Sequence, residues 1–259
     1  MIKTFKRFDL LPFSPSRINN WIEDKSGFVL RYIYKYDFAP SCAMIRGNAI
    51  EYGFSLYFKE KYKKLDTLIK KIHQYYDDNA YFSLESEEEK KKQRDMIEPM
   101  SILLLNKITK TNSTYLSYQA NVKTEILGIP FSGYTDFIFE NDEEITVIDL
   151  KTTSQFKIRD SHIKQQVIYK KALEEKFNKK VEVKLLYCTP KKCDFIEFDS
   201  NNPIHLKTIE MNLRSCASTL DKCKSKADVS SILTPDLSDW RWNYANEDKL
   251  KARQEIWGI

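Results

Sequence analysis

The stretch from Gly133 to Lys151, GYTDFIFENDEEITVIDLK, constrains this chain more than any other. It holds two apolar runs, Tyr134 to Phe139 and Ile145 to Leu150, joined by the acidic turn Glu140-Asn141-Asp142-Glu143. Runs this rich in β-branched and aromatic residues, bounded by polar turn residues, read as adjacent strands. Charge interrupts them at Asp136 in the first and at Asp149 and Lys151 at the end of the second. Side chains alternate along a strand, so Asp149 and Lys151 point one way and Leu150 the other. Asp136 can face them from the neighbouring strand. Two carboxylates and an ammonium converging on a sheet edge suit hydrolysis of a phosphodiester. Carboxylates favour Mg²⁺ or Mn²⁺, and a lysine offsets the charge that develops at phosphorus. The plain alternative is a strand end charged for solubility, since Asp-x-Lys is a common pattern.

Composition narrows the class. A chain of 259 residues is long enough for one large domain or one with an appended subdomain. Hydrophobic residues make up 42% and aromatics 13%, enough for a core, while 31% charged residues with six Gly exclude a disordered or fibrous chain. The net charge of +5 and pI of 8.7 are compatible with a polyanionic partner. No apolar run reaches the roughly 18 residues that a membrane helix needs. The opening MIKTFKRFDLLPFSPS lacks an apolar core and a small-residue cleavage site, so the expected location is cytoplasmic, or the host cytoplasm for a viral chain. Cys42, Cys188, Cys193, Cys216 and Cys223 contain no Cys-x-x-Cys pair and read as reduced thiols. His73, His162 and His205 show no ligand spacing and read as surface or helix-cap residues.

The order of elements follows from periodicity and punctuation. Ser14-Pro15-Ser16 opens a helix carrying Ile18, Trp21 and Ile22 at helical spacing. A second helix is expected over Ala43 to Tyr62, with Ile45, Ala49, Ile50, Phe54, Tyr57 and Phe58 on one face. Within it, Gly47 signals close packing, and Glu51 flanks the apolar face, where an unpartnered carboxylate is unfavourable. Leu65 to Tyr76 and Ser86 to Leu105 read as further helices, the latter capped at Ser86 and kinked or divided by Pro99. From Tyr115 the period becomes two: Tyr115–Leu127, Ile129–Glu140 and Ile145–Lys151 form an antiparallel meander turning first at Gly128. Glu125 lies in the first of these, where it faces either the acidic cluster or a partner such as Lys123 or Arg159. A helix from Asp160 or Ser161 to Phe177 crosses over to strands Val181–Cys188 and Cys193–Phe198. On that helix Gln165 and Tyr169, four apart, share a face. A long helix follows over Asn201 to Ser225. The tail holds Trp240, Trp242, Tyr244 and Trp257, which either pack back on the body or stack on bases.

The order Arg46-Gly47-x-x-x-Glu51, Gly133-x-x-Asp136, Asp149-Leu150-Lys151, Gln165-x-x-x-Tyr169 resembles the PD-(D/E)XK nuclease superfamily. The resemblance is to its RecB-like and phage-exonuclease branch, related to the CRISPR-associated RecB-like nucleases. Phe13-Ser14-Pro15-Ser16-Arg17-Ile18-Asn19-Asn20-Trp21 is similar to that branch's first helix. The resemblance implies an α/β fold of the α+β kind. Its restriction-endonuclease-like core would hold a mixed central sheet, an antiparallel meander and a helix crossover, flanked by helices. It implies one nuclease domain over 1–259, with a helical part (1–110), a catalytic core (111–200) and a C-terminal helix and Trp-rich tail (201–259).

The implied activity is a metal-dependent DNA exonuclease of recombination, repair or phage DNA processing. A structure-specific endonuclease and a silent nucleic-acid-binding module are the alternatives. By the same resemblance Asp136, Asp149, the Leu150 carbonyl and Glu51 would hold Mg²⁺ or Mn²⁺, and Lys151 would position the attacking water. Gln165 and Tyr169 would orient the lysine or meet the phosphate backbone. Arg46, Ser16 and Arg17 would contact DNA. Expected partners are linear duplex or single-stranded DNA ends, a recombination or single-strand-binding protein, further copies of the chain, and no membrane. The cysteine spacing departs from the iron–sulfur members of the branch, so no cluster is expected. No nucleotide-binding Gly-x-x-x-x-Gly-Lys loop for a motor occurs in the sequence.

Overall fold

The strands predicted from the two-residue period form one mixed sheet. Its members are β1 (Thr114–Ile126), β2 (Ile129–Glu140), β3 (Glu144–Thr152), β4 (Lys180–Cys188) and β5 (Cys193–Ile196), in the order β1-β2-β3-β4-β5. The computed structural model describes residues 1–61, 64–108, 113–243 and 245–259, without the Trp240 side chain; Tyr62 and Tyr244 of the sequence reading fall outside these residues. Leu127 and Gly128 join β1 to β2 with φ of 54° and 73°, the left-handed pair that a type I′ hairpin turn requires. β2 and β3 are antiparallel, β3 and β4 parallel, and β4 and β5 antiparallel. β3 is thus the middle strand of five, and the charges of its C-terminal end lie at the end of the sheet rather than along an edge strand.

The helices, in chain order, are α1 (Ile2–Arg7), α2 (Pro15–Glu23), α3 (Lys25–Phe28), α4 (Cys42–Phe58), α5 (Leu65–Ala80), α6 (Glu87–Asp95), α7 (Ile97–Ile108), α8 (Asp160–Phe177), α9 (Pro203–Asp221), α10 (Lys226–Ile232) and α11 (Glu247–Trp257). A π-helical turn at Val29–Ile33 continues α3. The chain divides into two compact units, one of residues 1–38, 123–133 and 201–259, the other of residues 39–122 and 134–200.

In the first unit the Ser14 hydroxyl caps α2 by accepting the Arg17 N–H at 3.2 Å. Phe13 lies along Phe131 of β2: its N–H donates to the Pro130 carbonyl and its carbonyl accepts from Ser132 N–H, both at 2.8 Å. The tail belongs to this unit's core. Trp242 packs with Leu30 and Ala252, and Trp257 Nε1 donates to the Ser230 carbonyl at 2.9 Å.

In the second unit the sheet is covered on both faces. Phe137, Phe139, Ile148, Leu150 and Leu186 pack under α4, α5 and α7 through Ile50, Phe54, Leu68, Ile72, Met100 and Leu104. Ile138, Ile145, Val147, Val181 and Val183 pack under α8 through Tyr169, Ala172 and Leu173. The helix expected over Ser86 to Leu105 is divided at Met96, three residues before Pro99. Proline lacks the N–H that would bond the carbonyl of residue 95 and crowds that carbonyl, so the break falls one turn upstream. α1, α3, α10 and α11 have no counterpart among the predicted elements.

Two glycines let α4 sit close to its neighbours. A Cβ on Gly53 would stand 2.2 Å from Ile72 Cγ1 of α5, and one on Gly47 would stand 3.0 Å from Thr152 Oγ1. Gly53→Ala gains up to ~1 kcal/mol of helix propensity. It also overpacks a fully buried isoleucine, which costs about 1–3 kcal/mol. We therefore expect Gly53→Ala to lower the thermal midpoint. Combining it with Ile72→Ala should cost less than the sum of the two changes, as a double-mutant cycle in denaturant would measure.

Candidate active site

The β2–β3 ladder runs from Glu140↔Ile145 to Phe137↔Ile148. At the next residue a side chain replaces the backbone: Asp136 Oδ2 accepts the Leu150 N–H at 2.8 Å. This bond pins the Asp136 carboxylate beside the end of β3. Asp149 is fully buried, and neither of its oxygens accepts a hydrogen bond of ordinary geometry from the described residues. Lys151 Nζ closes on Asp149 Oδ2 as an ion pair instead, as expected for residues two apart on one face. Glu51 approaches from α4, and its carboxyl is raised by burial and then by the charge of Asp136, with Lys151 opposing and Asp149 adding.

The cluster is short of positive charge. Burial, and next the charge of Asp149, push the Asp136 carboxyl up to about 7. Lys151 is raised although burial opposes it, because Asp149 and Asp136 together outweigh the loss of solvation. Three carboxyl groups around one ammonium leave a deficit that a divalent cation would neutralise, and an all-oxygen donor set suits Mg²⁺ or Mn²⁺. Among the described residues no three acidic, histidine or cysteine side chains are placed to hold a metal ion by themselves. The protein would thus supply part of the shell and leave the rest to water and substrate, as is usual for Mg²⁺.

α8 supplies the opposite wall. Gln165 Nε2 donates to the Tyr169 hydroxyl at 2.9 Å, and burial and then the Asp149 charge raise the Tyr169 phenol. Gln166, next to Gln165, is fully buried, and its side-chain amide has no hydrogen-bond partner among the described residues. Arg46 is only 1% exposed. Its guanidinium donates to Gln93 and, at 3.1 Å, to the Thr152 carbonyl, so it fastens α4 to the end of β3. Ser16 and Arg17 lie in the first unit. Arg17 donates to the carbonyls of Leu10 and Pro12, both at 2.6 Å, and Ser16 Oγ is 3.0 Å from Ser14 Oγ. Glu125 is exposed on β1.

His162 departs from the expectation of a surface or cap residue. It lies on α8 with Nδ1 2.5 Å from the Tyr187 hydroxyl, and Tyr187 pairs in register with Lys151. The Arg159 N–H donates to the same phenolic oxygen at 3.2 Å. Burial, then the charges of Lys151 and Arg159, push the His162 imidazole down to about 3, so it stays neutral. No sequence spacing signals this pair, because it joins α8 to β4 across 25 residues.

The raised Asp136 carboxyl gives the metal-free protein a pH-dependent contribution to stability. A folded value near 7, against about 3.9 in an unfolded chain, means that the native state holds the proton more tightly. The contribution of Asp136 to stability then falls as pH rises from about 4 to about 7, and the comparison with a variant at this position isolates it from the opposite contribution of the neutral His162. Asp136→Asn keeps an acceptor for the Leu150 N–H and removes the charge. In EDTA at pH 8 it should raise the thermal midpoint by at least about 2 °C, the shift that ~1 kcal/mol produces in a chain of this size. At pH 4 the two proteins should melt together. Calorimetry at the two pH values checks both.

The model of the PD-(D/E)XK nuclease superfamily matches residues 12–251. Among solved structures, a candidate exonuclease from Eubacterium rectale superposes with a TM-score of 0.60 at 12% identity, covering 93% of this chain and 91% of that one. SSO0001 matches at 16% identity over 83% of this chain and 95% of its own, with a TM-score of 0.33. No curated protein matches. The five-stranded mixed sheet flanked by helices is the fold of that superfamily. Its members typically use divalent metals such as Mg²⁺. With the superfamily model spanning nearly the whole sequence, this chain belongs to the PD-(D/E)XK nucleases, phosphodiester hydrolases that act on nucleic acid.

Proposed function

We propose that the chain is a Mg²⁺- or Mn²⁺-dependent deoxyribonuclease that degrades DNA from its ends. The observation that carries this reading is the buried Asp149 carboxylate, without ordinary hydrogen bonds and crowded by Asp136 and Glu51 around Lys151. A structural carboxylate would be expected to collect donors, since a buried charged group left unsatisfied costs on the order of 1–3 kcal/mol or more. A metal ligand keeps its lone pairs open.

Asp136, Asp149 and the Leu150 carbonyl would hold the cation, with Glu51 completing the site. The bound cation supplies Lewis acidity at the phosphoryl oxygens and a water of lowered pKa. Lys151, kept charged by its two aspartates, orients the attacking water and offsets negative charge in the transition state. The Gln165–Tyr169 pair orients Lys151 or meets the phosphate backbone. Arg46 acts from behind, fixing the strand end that carries the site. Ser16 and Arg17 contact DNA at the opening of α2. Action from ends follows from the resemblance to RecB-like and phage-type exonucleases. That resemblance also supports a single nuclease domain and a cytoplasmic role in recombination, repair or phage DNA processing. A single-strand-binding or recombination protein and further copies of the chain are the partners it favours.

The test is a time course on end-labelled linear duplex and closed circular DNA, in Mg²⁺, Mn²⁺ and EDTA, with wild type beside Lys151→Ala. Loss of linear DNA only, dependent on metal and reduced about 100-fold or more in the variant, is expected. Cutting of the circle would assign an endonuclease on the same core. Binding without cleavage in either metal would leave a catalytically silent binding module.

A further inference from the structure

Residues of α4 and α5, with Lys61, line a half-open cavity of about 310 Å³. It is lined by two tyrosines, two lysines and a glutamine. Tyr52, the residue after Glu51, meets Tyr75 with ring centroids 4.7 Å apart and planes inclined by 30°. Lys61 and Lys71 stand at the wall, and Lys71 Nζ donates to Gln74 Oε1 at 2.9 Å. Leu56 adds an apolar contact, and Asp78 an acceptor. Tyr52 is 37% exposed although it is a large aromatic at the mouth of a cavity.

Glu51 of the carboxylate cluster directly precedes Tyr52 of the cavity in α4. The half-buried Tyr118 phenol is raised by burial, then by the charges of Glu51 and Asp136, and then by Tyr75, so it senses both the carboxylates and one ring of the cavity. Its ring also stacks on Phe137, the residue after Asp136, with centroids 5.6 Å apart.

We propose that this cavity receives one unpaired nucleotide of the substrate strand, its base against Tyr52 and Tyr75 and its phosphate against Lys61 and Lys71. Aromatic faces beside basic side chains are how proteins hold single strands without reading sequence. A cavity at the small end of the ligand-site range admits one nucleotide and excludes a base pair. Gln74 and Asp78 offer an amide and a carboxylate to the base edge, adding selectivity for whichever base presents the complementary donor. The consequence for a nuclease is strand separation: a terminal base that enters the cavity is frayed from its partner, and the following phosphate is presented to Lys151. This inference rests on the nucleic-acid reading of the family for its ligand class, and not on the metal-dependent step.

The experiment uses the full chain carrying Lys151→Ala, in EDTA, so that failure of the proposed cleavage leaves binding measurable. Anisotropy of a labelled single-stranded oligonucleotide is compared for this protein and for versions adding Tyr52→Leu, Tyr52→Phe or Lys71→Ala, each checked for an unchanged thermal midpoint. Tyr52→Leu should weaken binding about tenfold, within the range of one stacked base. Tyr52→Phe, which keeps the ring, should stay within about twofold. Binding unchanged by both Tyr52→Leu and Lys71→Ala would overturn the proposal, as would equal losses in Tyr52→Leu and Tyr52→Phe. A free deoxynucleoside monophosphate serves as competitor. Displacement of the oligonucleotide only at concentrations far above the strand's own Kd supports a strand subsite. Tyr52-dependent displacement at equal concentration would overturn the strand and assign the cavity to free nucleotide.

Discussion

The hydrogen bond from Leu150 N–H to Asp136 and the ion pair between Lys151 and Asp149 hold the site together. Both occur where the β2–β3 ladder ends. A sheet normally ends by giving its last N–H groups to water or to a turn. Here an aspartate takes one of them and is thereby fixed beside a second, buried aspartate. Burial and then the charge of Asp149 raise the Asp136 carboxyl, and a single ammonium does not balance the carboxylates around it. The protein tolerates this because the surrounding strands are locked by the two hydrophobic layers beneath α4, α5, α7 and α8. Strain of this kind is expected at functional sites and is balanced by packing elsewhere.

Packing also decides what α4 does. Gly53 brings it against Ile72, Gly47 brings it against Thr152, and Arg46 ties it to the same residue's carbonyl. The three act along one helix, so Glu51 is carried to the carboxylate cluster as a consequence of backbone proximity rather than of a long side chain. The ion pairs of exposed α6 contribute little by comparison, since pairs such as Lys92–Glu89 are screened by water.

Much of this was legible in the residues. The alternation of β2 and β3 and the spacing of Asp136, Asp149 and Lys151 are local patterns, and local patterns survive without a structure. The Ile129–Glu140 strand and the helix from Asp160 to Phe177 fall where periodicity puts them. What escaped depends on contacts distant in sequence. Arg46 is expected at the DNA, and no sequence window shows that Gln93 and Thr152, 47 and 106 residues away, accept from its buried guanidinium. His162 looks isolated until β4 brings Tyr187 to it. Gly53 carries no signal at all, because its role is set by the Ile72 and Leu68 side chains on the next helix. The tail tryptophans divide the same way: Trp257 and Trp242 are held by Ser230 and Leu30, which no sequence window contains.

The central claim is that the end of β3 is a cation site left open by its own hydrogen bonding. The most direct measurement is anomalous diffraction from crystals grown with Mn²⁺. A peak within coordination distance of Asp136, Asp149 and the Leu150 carbonyl, with Lys151 turned away from Asp149 Oδ2, is predicted. Crystals with Mn²⁺ bound elsewhere and the Lys151–Asp149 ion pair intact would contradict it.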